Sequence, residues 1–244
     1  MEIPKIENRL EVKCDANSEI AEMYLYGTIA KRSMWNDTDT VSAAGVKDML
    51  QNITAKTVKV HINSGGGDTF ESIAICNLLK QSKLNIEIYI DSLAGSGGGV
   101  IAMAGKVFMA ANSMFMAHRA STIIYGNSAE LTKTAADLDK IDIAVKASYA
   151  TKFVGTDEEL TQLIADETWL TATECLALGF CDEIIAEKTE KIESEISTKD
   201  TIVNKYKKEI KTEVAPVVEI EPATQEPSNF DISNLLKAFS ENFK

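Results

Sequence analysis

The sequence predicts an α/β fold of repeated β-α units around a parallel-sheet core, and three observations carry that reading. Short strand-like runs, Met23–Ile29, Val58–Asn63 and Ile86–Ile90, alternate with stretches such as Thr69–Leu79 whose apolar residues recur at helical spacing. Two glycine clusters, Ser64-Gly65-Gly66-Gly67-Asp68 and Gly95-Ser96-Gly97-Gly98-Gly99, each follow a strand and each open a helix. The 244 residues, 45% of them hydrophobic, suffice for one sizeable core domain and an appendage. Alternating β and α units imply parallel strands with crossover helices, so the loops of adjacent crossovers meet at one sheet edge.

The elements follow in order. Met23–Ile29 reads as the first strand, and Ser42 caps a helix through Leu50. The strand Val58–Asn63 enters the first glycine loop, which opens the helix from Thr69. Ile86–Ile90 enters the second, followed by the small-residue helix start Val100-Ile101-Ala102-Met103-Ala104-Gly105. Lys106–Met109 and Met114–Met116 make the next strands. After the Gly126-Asn127-Ser128 break comes a long helix in which Leu131, Ala135, Leu138, Ile141, Val145, Tyr149 and Phe153 form one apolar stripe.

Two histidines in the whole chain narrow the chemistry. Serine is a poor nucleophile at neutral pH, and a serine hydrolase needs an imidazole to take its proton. His61 lies inside a strand, whereas His118 follows Met114-Phe115-Met116-Ala117, where a strand ends. The candidate nucleophile is Ser96, at a strand-turn-helix junction with the amide of Gly97 beside it. The junction resembles a nucleophile elbow, but Ala94 breaks the G-x-S-x-G pattern. The other glycine loop suits an oxyanion hole or a phosphate. No P-loop Lys-Ser/Thr pair follows it, and no frame of G-x-G-x-x-G fits.

Taken together, Asn63-Ser64-Gly65-Gly66-Gly67, Leu93-Ala94-Gly95-Ser96, Met116-Ala117-His118 and the segment from Trp169 to Asp182 resemble the Clp-protease proteolytic subunit family. The likeness is nearest to the ClpP-like head maturation proteases of phages and prophages, and it spans about Met23 to Ile185. It implies a ClpP/crotonase-like fold with a protruding handle helix at the long stripe. It also implies an ATP-independent serine endopeptidase without cofactor or metal. Ser96 then matches the nucleophile, His118 the base, and Gly67 and Gly97 the two oxyanion donors. Family spacing puts the acid just before Trp169, which makes Asp166 the candidate, Glu167 the alternative and Asp157 a third. The chain departs from the family at Gly65, where a proline is usual, and at Arg119-Ala120, where cellular members carry Gln-Pro. Ser92 is a rival hydroxyl.

The resemblance further implies a homo-oligomeric ring and capsid or scaffold proteins as substrates. Its alternatives are a degradative subunit fed by a Clp ATPase, and a crotonase-like acyl-CoA enzyme or an inactive scaffold protein. The net charge, 25 minus 37 or −12, argues against a nucleic-acid surface. Cys14, Cys76, Cys175 and Cys181 lack metal-ligand spacing, and Cys76 and Cys175 read as small core residues of a protein in the reducing cytoplasm. A polar start, Met1-Glu2-Ile3-Pro4-Lys5, and the lack of a run of about 20 apolar residues predict neither signal peptide nor membrane span.

Composition shifts near Glu187. The protease domain is therefore expected over 1–186, a charged linker over 187–227, and over 228–244 an amphipathic helix carrying Phe230, Ile232, Leu235, Leu236, Phe239 and Phe243. Truncation after residue 186 is expected to keep both the oligomer and peptidase activity while weakening capture of the natural substrate. Sedimentation of the truncated protein checks this, and a monomer or an unfolded chain would place the tail inside the fold.

Overall fold

The computed structural model describes residues 6–14, 18–31 and 40–185. Contacts divide the chain between Lys207 and Lys208, and every described element lies before that point. The expected linker and C-terminal helix fall outside the described residues.

Strand formation follows a two-residue alternation. In β2 (Ile20–Ile29), Ala21, Met23, Leu25 and Ile29 face the core while Glu22, Tyr24 and Tyr26 face the other way. The same alternation runs through β3 (Thr57–Gly67) and β4 (Asn85–Gly95), whose inward residues include Val58, Val60, Ile62, Ile86, Ile88 and Ile90. These strands pair in parallel, β2 with β3 and β3 with β4, as the crossover pattern requires. The helices that connect and cover them are α1 (Ala43–Asn52), α2 (Thr69–Gln81) and α3 (Gly97–Ala102). Ser42 caps α1 by accepting the Gly45 amide, and Asp68 caps α2 by accepting those of Phe70 and Glu71.

The remaining elements are β1 (Arg9–Lys13), antiparallel to β2; β5 (Lys106–Ala110); β6 (Met114–Ala117); α4 (Ser128–Tyr149); α5 (Asp157–Ala165); β7 (Thr168–Thr171); α6 (Ala172–Leu178); and β8 (Glu183–Ile185). The path β1-β2-β3-β4-β5-β8 forms the sheet. β4 has a different neighbour along each half: Glu87–Ile90 pairs β5, and Leu93–Gly95 pairs β6. β7 then runs antiparallel to β6. This fork brings the end of β6 beside the end of β4.

Three boundaries differ from expectation. Ser64–Gly67 is strand, because β2 and β4 extend far enough to pair with it at Thr28↔Gly66, Ile29↔Gly67 and Ser64↔Ala94. The helix after Ser96 begins at Gly97 and ends at Ala102. The long helix ends at Tyr149, and Phe153 packs from the segment beyond it.

The helical side of the sheet closes over an aromatic cluster. Phe180, fully buried, stacks on Phe115 with centroids 5.1 Å apart and meets Tyr149 edge-on at 5.9 Å. Phe180→Ala is expected to destabilise the fold by about 3–5 kcal/mol, read as a lowered urea midpoint. A cost under about 1 kcal/mol would show that the cluster is not packed as described.

Candidate active site

Ser96 stands between the end of β4 and the start of α3, with φ 51° and ψ −117°. For a residue with a side chain this is a strained backbone, costing about 1–3 kcal/mol. Three hydrogen bonds from three elements hold it. The Ser96 amide donates to the Met116 carbonyl of β6 at 2.7 Å, and its carbonyl accepts the Val100 amide at 3.1 Å and the Tyr149 hydroxyl of α4 at 3.0 Å. Tyr149 is fully buried, and burial pushes its phenol well above the ordinary pKa, so it remains a neutral donor.

His118 is the first residue beyond β6. The β4 fork delivers it to the turn, and its Nε2 lies 2.8 Å from Ser96 Oγ. Gly67, Gly97, Thr69 and Val145 line the same cleft, whose volume is about 230 Å³. The other histidine is engaged elsewhere. His61 projects from the opposite face of the sheet, stacked between Tyr24 and Tyr89, with Nδ1 2.9 Å from Asp91. Ser92 is exposed and lies outside the cleft that holds His118.

The three acid candidates occupy distinct positions. Asp157 opens α5 and pairs with Lys146 at 2.7 Å. Asp166 ends α5, where its Oδ1 accepts the Gln162 side-chain amide at 2.7 Å. Glu167 follows with φ 50°, swinging the chain into β7. The last β6–β7 pair is Ala117↔Thr168, so continuing the register sets Glu167 across from His118. Among the described residues, no side chain hydrogen-bonds the second ring nitrogen of His118. Cys76, Cys175 and Cys181 are buried, and burial raises all three thiols, Cys181 to about 11, which leaves them poor nucleophiles.

Two contributors escaped the sequence analysis. Tyr149 registered only as part of an apolar stripe, and its hydroxyl gave no signal. Arg119 registered as a departure from the family pair, but not its partners on α4, Asp139 and Asp142, which lie three residues apart on one helix face.

Comparison with known proteins supports one family. The Clp protease family model matches residues 29–188. Among curated relatives, the ATP-dependent Clp protease proteolytic subunit of Streptococcus gordonii is 26% identical over 151 residues, covering 54% of this chain and 70% of the relative. The subunit of the same name from Streptococcus salivarius is 27% identical, covering 54% and 69%. That of Streptococcus pneumoniae is 28% identical, covering 56% and 72%.

Tyr149→Phe keeps the buried ring but removes the donor to Ser96. It is expected to leave the fold intact and to slow fluorophosphonate labelling of the protein about tenfold, the equivalent of one hydrogen bond. Labelling at the unaltered rate would show that the strained turn holds without the phenol.

Proposed function

The chain belongs to the Clp protease family, which makes it an ATP-independent serine peptidase, and we propose that Ser96 and His118 carry the chemistry. The observation behind this assignment is the 2.8 Å contact between Ser96 Oγ and His118 Nε2 at a strained turn. In the proposed reaction His118 Nε2 takes the hydroxyl proton as Ser96 Oγ attacks a peptide carbonyl. The amides of Gly67 and Gly97, which both line the cleft, receive the oxyanion, each worth about 3–4 kcal/mol in comparable sites. His118 then returns the proton to the leaving amine, and water, activated by the same ring, hydrolyses the acyl-enzyme.

The triad acid belongs to the Asp166–Glu167 pair in this proposal. Family spacing points to Asp166, and the strand register supports Glu167. Asp157 is held on Lys146 instead.

The finer reading is a head maturation protease that processes capsid or scaffold proteins, built as a homo-oligomeric ring in the cytoplasm. It rests on the resemblance of the ordered motifs, from Asn63 to Asp182, to the phage and prophage enzymes. The curated relatives are proteolytic subunits of an ATP-dependent Clp protease, which favours a second reading, a degradative subunit working with an ATPase. The family match ends at residue 188, which supports a catalytic part ending close to 186. Among the described residues no helix is long and apolar enough to cross a membrane.

Ser96→Ala and His118→Ala are each expected to reduce peptide cleavage to background with the fold intact, and the double variant to lose nothing further. Retained activity in Ser96→Ala with loss in Ser92→Ala would move the nucleophile. Replacing the acid should lower turnover by up to about 10⁴-fold. Loss in Asp166→Asn or in Glu167→Gln assigns it, and activity in both means a Ser-His dyad. Incubation with capsid protein, against incubation with a Clp ATPase and an unfolded substrate, separates the two substrate readings on a gel.

A further inference from the structure

His118 opens a segment, 118–127, that has neither strand nor helix. Its first residues are nevertheless fixed, and α4 fixes them. Asp142 directs both carboxylate oxygens at the two residues after the histidine: Oδ1 accepts the Ala120 amide at 2.7 Å, and Oδ2 accepts Arg119 Nε at 2.6 Å. The same guanidinium reaches Asp139 Oδ1 through Nη2, also at 2.6 Å.

Exposure separates the two carboxylates. The Asp139 side chain is 69% exposed and that of Arg119 52%, so their pair is a surface contact of small worth. The Asp142 side chain keeps 15% of its exposure, and both its bonds are charge-assisted, one of them to backbone. Asp142 also lies seven residues before Tyr149, two turns along the same face of α4. One helix thus grips the chain on both sides of the reacting pair, at Ser96 through Tyr149 and just past His118 through Asp142.

We propose that Asp142 is a positioning residue that sets the His118 imidazole on Ser96 by clamping the backbone at Ala120 and the side chain of Arg119. It touches neither substrate nor reacting atoms. The proposal rests on the Ser96–His118 hydrolase reading, in which a shift of about 1 Å costs about a hundredfold in rate.

The test uses the full chain with ¹⁵N-labelled histidine, which gives two imidazole signals, and steady-state kinetics on a fluorogenic peptide. Asp142→Ala is expected to move the His118 ring nitrogens toward those of a free, tautomer-averaged imidazole while His61, held by Asp91 on the other face, stays in place. Its kcat should fall about ten- to a hundredfold, with KM changed less than about threefold. Asp142→Asn keeps an oxygen for the Ala120 amide but turns an NH2 toward the Arg119 guanidinium, and should recover only part of that loss. Asp139→Ala, which removes only the exposed pair, should cost less than about threefold. Unaltered His118 signals in Asp142→Ala overturn the proposal, and so does a loss in which His61 shifts equally, since that marks general unfolding. Should the wild type cleave no peptide, the hydrolase reading fails and the His118 signal alone decides the role of Asp142.

Discussion

The strained backbone at Ser96 is the constraint on which the site depends. A φ of 51° costs about 1–3 kcal/mol for a serine and persists only where its surroundings over-determine it. Here β6 supplies an acceptor for its amide, and α3 and α4 supply donors to its carbonyl. One of these bonds is local, from the helix that follows, but the other two come from distant parts of the chain, so the turn is fully held only once the sheet fork and the long helix have closed. The 2.8 Å approach of His118 is then a by-product of the same closure, because the strand that bonds the Ser96 amide also ends at the histidine.

The glycines around this turn are explained as much by packing as by chemistry. A Cβ on Gly66 would stand 2.7 Å from Ser96 Cβ and 2.8 Å from the Gly97 amide nitrogen, closer than real Cβ atoms come. A Cβ on Gly99 would stand 2.9 Å from the Phe115 ring and 3.0 Å from the Tyr149 hydroxyl. The first glycine lets the ends of β3 and β4 meet, and the second lets α3 sit against the aromatic cluster. Of the two amides proposed to bind the oxyanion, that of Gly67 is placed by close approach of backbone to backbone, since a Cβ there would meet the Ile29 carbonyl, whereas a Cβ on Gly97 would meet the Ser72 hydroxyl.

Much of this was legible in the sequence for physical reasons. Strand alternation and helical spacing marked β2 through β6 and α4, and Ser42 announced its helix by its capping chemistry. The Ser96-His118 pair was legible because only one of two histidines closes a strand next to a glycine turn. The glycine stretch at Ser64–Gly67 reads as a loop because glycine weakens local strand preference, yet pairing with strands on both sides overrides that preference. β1 and β8 are short and owe their existence to their neighbours. Tyr149 and Asp142 were illegible as site residues, because a phenol on an apolar stripe and an acid on a polar face look alike whether or not they hold a catalytic loop.

Helix α4 divides its length between two roles. Its last two turns bury Val145 and Tyr149 against the core, and this half carries the contacts that reach Ser96 and the segment after His118. Toward its start the helix loses that support: Leu131 is exposed, and local devices remain, namely the Asn127–Glu130 capping box and the Lys133–Asp137 pair. Such devices are worth a few tenths of a kcal/mol to about 1 kcal/mol each, too little to hold three isolated turns in water. The N-terminal half therefore draws its order from the packed half, or from a neighbouring subunit in the proposed ring. In either case the order of the helix and the alignment of the Ser-His pair are set together, since the residues that anchor the one also position the other.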